Sequence, residues 1–232
     1  MKLSKGYFVT GTDTGIGKTY VSTLLFKGVS KIGGTYYKPV QSGAFEMFGK
    51  LTSPDVEFVC DFNKIPYDSE MTTYLLKSEV SPHLAAEIDG VEIDPNKIIN
   101  DWEELKEKYS TVIVEGAGGL YVPIIRSKFY MYDLMKLLNI PAIVVASNKV
   151  GSINHTMMTI NSLKSMGIKI QGIIFNRIEK HYDRTGYEQD NINIIKEMSG
   201  IDNIMILDFE QDSFDQEELI KFLELREEKN NE

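Results

Sequence analysis

The sequence predicts an α/β fold of three layers, a mostly parallel central sheet flanked by helices, and three observations carry that prediction. Short apolar runs alternate along the chain with segments of helical periodicity. The runs at Thr111–Val114 and Ala142–Ala146 are almost wholly apolar, as strands covered on both faces must be. The runs end in glycine-rich or polar loops, and open parallel sheets bind ligands at that edge.

The first unit is the most informative. Tyr7-Phe8-Val9 reads as a strand, Gly11-Thr12-Asp13-Thr14-Gly15-Ile16-Gly17-Lys18-Thr19 as a loop, and Tyr20 to Val29 as apolar-periodic helix. Glycines let successive backbone N–H groups face an anion, the helix start adds its positive dipole end, the lysine adds a mobile charge, and the threonine hydroxyl suits magnesium. The stretch from Thr12 to Thr19 therefore reads as a nucleoside triphosphate site in a P-loop NTPase-type fold. It departs from the common G-x-x-x-x-G-K-[ST] pattern by one position, because Thr12 stands where the first glycine belongs. An ordinary turn capping a helix is the competing reading, and Gly17-Lys18-Thr19 directly after a strand weighs against it.

The helix predicted from about Thr19 to Lys31 carries Val21, Leu24, Leu25 and Val29 on one face and stops at Gly33-Gly34. A strand over Thr35 to Tyr37 follows, and Pro39 is expected to end it, which leaves Lys38 at a carboxyl end. A second phosphate-binding lysine and a solvated loop lysine are both consistent with that spacing. Ser53-Pro54-Asp55 reads as a helix start, and a first-turn carboxylate such as Asp55 is favoured by the dipole without any catalytic role. Cys60 reads as core. Ser81-Pro82-His83 opens another helix, where a lone histidine packs or caps more often than it acts as a base. Asp94-Pro95 begins an amphipathic helix whose Ile98, Ile99, Trp102 and Leu105 are expected in the core.

Glu115 closes the strand over Thr111–Val114 and stands beside the phosphate loop, a position from which a carboxylate reaches magnesium. That reading outweighs a simple salt-bridged glutamate. Gly116-Ala117-Gly118-Gly119 then offers backbone that a ligand can approach closely. After the Ala142–Ala146 strand, Ser147-Asn148-Lys149-Val150-Gly151 is similar to the Asn-Lys-x-Asp element of GTPases, except that Gly151 replaces the base-reading aspartate. A helix from about Asn154 to Met166, a strand over Ile170 to Phe175, and Asn176-Arg177 at its ligand edge follow. Ile178 to Glu188 is polar and loop-like. A helix near Asn191 to Met198, a strand near Met205 to Leu207, a helix from about Asp215 and a charged, frayed tail after Arg226 complete one domain spanning 1–232.

Composition bounds the rest. With 232 residues, 42% hydrophobic and 25% charged, the chain is a globular class of sequence, neither disordered nor membrane-spanning. A net charge of −9 argues against a nucleic-acid surface while leaving a local triphosphate site open. The lone Cys60 has no internal disulfide partner, and His83, His155 and His181 lack metal-ligand spacing. A cytoplasmic protein with no membrane segment and no export signal is expected.

The ordered motifs extend the reading beyond nucleotide binding. The chain resembles the dethiobiotin synthetase family in G-T-D-T-G-I-G-K-T (11 to 19), Y-K-P-V-Q-S-G (37 to 43), S-P-H-L-A-A (81 to 86), V-E-G-A-G-G-L-Y-V-P (114 to 123) and Gly151-Ser152-Ile153-Asn154-His155. Thr12 is the usual form in that family, so the misfit to the general pattern becomes support. Beyond Arg177 the likeness is poor: Ile206-Leu207-Asp208 stands where relatives often carry an Ile-Pro strand end.

The resemblance implies ATP-dependent closure of a cyclic urea from 7,8-diaminopelargonate and carbon dioxide, with Mg2+ as cofactor, in a homodimer whose substrate site crosses the interface. It implies Lys18 and Lys38 as the catalytic lysines. Thr12, Asp13, Thr14, Gly15, Ile16, Gly17, Lys18 and Thr19 would bind nucleotide, with Asp55, Glu115, Gly116, Ala117, Gly118, Asn176 and Arg177. Thr19, Asp55 and Glu115 would hold the metal, and Ser42, Gly151 and Asn154 the substrate. For Asp55 this reverses the dipole reading; His83 stays structural. Two other functions fit the first motif. An amide ligase of the cobyrinate or CTP type usually carries a fused amidotransferase domain, for which this chain has no nucleophile elbow. A partition-type switch ATPase carries a signature lysine where this chain has Asp13.

Overall fold

The computed structural model describes residues 5–147, 149–177 and 186–225. In chain order the elements are β1 Lys5–Gly11, α1 Lys18–Ser30, β2 Gly34–Ser42, β3 Phe45–Met47, β4 Lys50–Thr52 and α2 Pro54–Asn63. After a 3-10 turn at Ser69–Met71 come β5 Thr72–Leu76, α3 Pro82–Asp89, α4 Pro95–Lys108, β6 Thr111–Glu115, β7 Pro123–Ile125, β8 Phe129–Tyr130 and α5 Met131–Leu138. The chain continues with β9 Ala142–Ala146, α6 Ser152–Ser165, β10 Ile170–Asn176, α7 Tyr187–Ser199, β11 Ile204–Leu207 and α8 Gln216–Phe222.

Seven strands form the central sheet in the order β11-β10-β9-β1-β6-β2-β5. All its pairings are parallel, and β3-β4 and β7-β8 are separate antiparallel pairs. Alternate residues of each strand enter different cores, which is why the runs read as continuously apolar. Phe8, Val112, Val114 and Val144 pack with Trp102 and Leu134 on one face. Tyr7, Val9, Ile113, Ile143 and Val145 pack with Leu24, Leu25 and Phe222 on the other.

The order of strands decides the chemistry. The chain passes from β1 to β2 across a gap that β6 later fills, so the end of β6 stands between the loop after β1 and the middle of β2. Val9 is level with Glu115, and Tyr37 with Val114, so Lys38 lies at the height of Glu115.

Pro39 does not end its strand. β2 runs on to Ser42, pairing with β6 through Tyr37 and with β5 from Lys38 onward; Pro39 itself has no partner in either register. A missing N–H is tolerated there because β6 has reached its end, so Lys38 is an interior strand residue, 4% exposed. Ile99 lies only half-buried, since Ile98, Trp102 and Leu105 alone fill the inward stripe of α4. The helix expected from Asn154 starts at Ser152, with Gly151 as its cap residue at φ 91. The one expected near Asn191 starts at Tyr187, so Tyr187 and Glu188 are helical rather than loop. β5, α5 and the two small hairpins were not anticipated. Asn148, residues 178–185 of the expected loop and the tail after Arg226 lie outside the described residues.

Candidate active site

The loop after β1 is shaped by glycine where it must be. Gly15 and Gly17 take φ 73 and φ 84, and Gly17 occupies the cap position of α1 with no side chain to cover the helix's first N–H groups. Those donors are left for an anion. Thr12 N–H bonds Val145 carbonyl at 3.1 Å, which ties the loop to β9. Asp13 is exposed and its carboxylate accepts from Thr14 N–H at 2.7 Å, while its carbonyl accepts from Lys18 Nζ at 3.2 Å.

Across the strand ends a compact charge network forms. Lys38 Nζ lies 2.6 Å from Asp55 Oδ2 and 2.8 Å from Glu115 Oε1. Thr19 Oγ1 donates to the same Glu115 Oε1 at 2.8 Å, and the Tyr36 hydroxyl donates to Glu115 Oε2 at 2.9 Å. Asp55 is brought in by α2, whose start is fixed by Ser53 accepting from Val56 N–H at 3.1 Å and by Pro54 in the first turn. Ser53 in turn donates to Gln41 Oε1 at 2.8 Å, so the end of β2 and the start of α2 are held together.

The two lysines differ electrostatically. Burial and the neighbouring Lys38 charge hold the Lys18 ammonium below the ordinary lysine range, against the pull of Glu115, Asp55 and Asp13. Burial acts on Lys38 in the same sense, but Glu115 and Asp55 overcome it and hold that ammonium above the ordinary range. Burial, then the Glu115 charge, push the Tyr36 phenol well up, so it stays a hydrogen-bond donor.

These groups line a cleft of about 550 Å³, whose walls include Thr14, Gly15, Gly17, Lys18, Thr19, Lys38, Ser42, Asp55, Glu115, Ala117 and Gly118. Ser42 Oγ is buried there with no hydrogen-bond partner. Gly116 has no room for a side chain, since a Cβ would meet Phe8 Cε1 at 2.6 Å, and Gly118 takes φ 68. Thr19, Asp55 and Glu115 present hydroxyl and carboxylate oxygens around a point that the Lys38 ammonium already approaches. A hard divalent cation of the magnesium type fits that donor set. Among the described residues no three His, Cys, Asp or Glu side chains form a metal cage. Magnesium suits such a site, because it keeps several waters and shares substrate phosphates.

Other expected residues stand apart from the cleft wall. Asn176 is 4% exposed and donates from Nδ2 to the Ile16 carbonyl at 3.0 Å, joining the end of β10 to the phosphate loop. Arg177 pairs with Glu188 at 3.3 Å and with Asp208. Gly151 and Asn154 are exposed at the start of α6. Asn154 does not cap its helix: α6 begins two residues before it, and its amide meets Met158 Sδ at 3.6 Å instead.

Tyr36 and Gln41 had been given no role. A usable signal existed for Tyr36, which lies two residues before Lys38 on a strand and therefore on the same face. Val80 on the cleft wall had no such signal, whereas its neighbour Pro82 lies in the S-P-H-L-A-A stretch that carries the resemblance.

Comparison with known proteins finds relatives along most of the chain. A family model described as an AAA domain matches residues 5–216. The chain is 50% identical over 218 residues to a protein of Fusobacterium nucleatum named ATP-dependent dethiobiotin synthetase BioD, covering 94% of this chain and 98% of that one. A protein of the same name from Anoxybacillus flavithermus is 43% identical, covering 85% and 88%. Among solved structures, a ParA family ATPase from Chlorobium tepidum superposes with a TM-score of 0.54 at 12% identity, covering 95% of this chain and 92% of that one. The last likeness is one of fold. The long matches at high identity cover most of both chains, and the chain belongs to the ATP-dependent dethiobiotin synthetase family of ligases.

Proposed function

We propose that the chain closes the ureido ring of dethiobiotin from 7,8-diaminopelargonate and carbon dioxide, consuming ATP and releasing ADP and phosphate. The observation that supports this best is the Lys38 ammonium held between Asp55 and Glu115 beside the phosphate loop, with the unpartnered Ser42 hydroxyl in the same cleft. A switch ATPase has no evident need of a buried, unpaired hydroxyl in this cleft.

One amine of the diamine adds carbon dioxide and loses a proton, giving a carbamate. A carbamate oxygen attacks the γ-phosphorus, ADP leaves, and a carbamic-phosphoric anhydride remains. The second amine attacks the carbonyl carbon and gives up a proton, phosphate leaves with the bonding pair, and the ring closes. Lys18 and Lys38 neutralise charge on the migrating phosphoryl group, which is where preorganised cations act most strongly. Ser42 holds the substrate or its carbamate. The backbone of Gly116, Ala117 and Gly118 admits the ligand, and the loop from Thr12 to Thr19 binds the phosphates. Asn176, whose Nδ2 is committed to the Ile16 carbonyl, would meet the adenine edge through its amide oxygen, with Arg177 beside it. Thr19, Asp55 and Glu115 would hold Mg2+, which would supply positive charge to offset that of the phosphates.

The diamine's carboxylate tail extends away from the phosphates, toward Gly151 and Asn154 at the start of α6 of a second copy. Support for the homodimer comes from the outer face of that helix, where Met158 is 63% exposed and the 62% exposed Tyr121 bonds Ser162. No helix among the described residues is long and apolar enough to cross a membrane.

The test is a product assay with the diamine, bicarbonate and Mg-ATP beside a control without diamine. Dethiobiotin and diamine-dependent ADP release are expected. Equal ATP turnover in both arms would favour a switch ATPase.

A further inference from the structure

We infer that Tyr36 is a positioning residue that fixes which oxygen of Glu115 faces the phosphate site. The inference rests on the reading of Glu115 as a cation ligand. Tyr36 and Lys38 are two positions apart on β2, so both side chains project toward the same face, and adjacent β6 delivers Glu115 into the space between them. Their contacts divide the carboxylate: Lys38 and Thr19 meet Oε1 at 2.8 Å each, and Tyr36 alone meets Oε2 at 2.9 Å.

Glu115 is 1% exposed, so no bulk water stands ready to replace the phenol. The Tyr36 ring is itself fully buried, wedged among Phe26, Val56, Val59, Cys60 and Met71. Its hydroxyl therefore projects from a packed core at a fixed height, and a carboxylate bound to it cannot rotate without leaving Oε2 unsatisfied. The phenol contributes no charge and binds Oε2 alone, so it takes nothing from Oε1, the oxygen that Lys38 and Thr19 already approach. Tyr36 contacts neither the cleft nor its occupants and acts only through Glu115. Residues that orient a metal's ligands in this way typically govern affinity by about 10- to 100-fold.

Tyr36→Phe tests the inference, since it keeps the ring and removes the hydroxyl. ADP affinity is measured by calorimetry with Mg2+ and with EDTA, for wild type, Tyr36→Phe, Glu115→Gln and the double variant. The expected result is unchanged metal-free affinity in Tyr36→Phe, a Mg2+ enhancement reduced about 10-fold or more, and no further loss when Tyr36→Phe is added to Glu115→Gln. An enhancement equal to wild type, or an equal loss with and without Mg2+, overturns the positioning role. If wild type itself shows no Mg2+ enhancement, the cation reading of Glu115 fails first and the inference falls with it. A crystal structure of the unmutated protein with Mg2+ and ADP needs no variant to fold: Tyr36 should remain on Glu115 Oε2 with Oε1 toward the ion, and a carboxylate turned away from Tyr36 overturns the proposal.

Discussion

Where the carboxyl ends of β1 and β6 meet the middle of β2 and the start of α2, Lys18, Lys38, Asp55 and Glu115 each have a polar partner within 3.2 Å. At the amino end of α6 the situation is reversed, with Val150 85% and Met158 63% exposed and Asn154 meeting a thioether sulfur. One end is preorganised within a single chain, as charge stabilisation of a transferring phosphoryl group requires. The other end leaves polar and apolar groups exposed among the described residues. The contrast separates a charged cleft built within one chain from an exposed helix end, for which the substrate tail and a second copy are the proposed cover.

The largest expected effect attacks the preorganised end. Lys38→Ala leaves two carboxylates facing each other in a buried site, so stability should fall by about 3–5 kcal/mol, read by chemical denaturation. Product formation should be abolished while Mg-ATP binding stays within about tenfold, because Lys38 acts mainly on charge that develops in transfer. Loss of ATP binding without a specific loss of turnover would sink that division. Thr19→Val comes next. It keeps the shape but removes the hydroxyl on Glu115 Oε1, and Mg2+-dependent nucleotide binding should weaken by about tenfold, with metal-free binding little changed.

Much of the preorganised end was legible in the sequence because its signals are local. Gly15, Gly17, Lys18 and Thr19 lie within one loop, and Ser53-Pro54 announces the helix that carries Asp55. Lys38 was placed at the right height for the wrong reason: Pro39 was expected to end β2, whereas the strand simply changes partner there. The Tyr36 contact with Glu115 spans 79 positions and depends on β6 inserting between β1 and β2, a topological fact that periodicity does not carry. β5 and α5 went unanticipated. Thr72–Leu76 follows a polar, proline-containing connection, and Met131–Leu138 has a tyrosine cap instead of the usual Ser, Thr, Asp or Asn start.

A smaller effect separates the two lysines. Lys18 is held below the ordinary range when the site is free, and a bound triphosphate would raise it, so nucleotide binding takes up a proton wherever free Lys18 is neutral. Affinity for ATP should therefore be complete below the free-state pKa and decline as pH rises through it, by at most about tenfold per pH unit. Lys38 is held high by its carboxylates and contributes no such decline in that window. Calorimetry across the alkaline range, in buffers of different ionisation enthalpy, reads the proton uptake directly. Its absence would mean that Lys18 is charged before ATP arrives. The stability slope has the opposite sign, because a depressed lysine binds fewer protons folded than unfolded, and raising pH through its folded pKa relieves the burial of charge.

The final test asks whether the exposed end is completed by a second chain. Asn154 lies in the first turn of α6 without capping it, so its amide is available to a neighbouring subunit's substrate. Lys18→Ala and Asn154→Ala should each be nearly inactive alone, the first for want of phosphate charge and the second for want of a tail contact. Coexpressed in equal amounts, half of two-fold dimers pair the two variants. Each mixed dimer contains one doubly defective site and one with Lys18 and Asn154 both intact, so about one quarter of all sites should recover. If Asn154 served its own chain, no pairing could assemble an intact site, and mixed dimers verified by mass would stay inactive. Recovery near one quarter would also exclude subunit exchange as a mere solubility effect, because that would rescue neither parent in proportion to the mixed fraction.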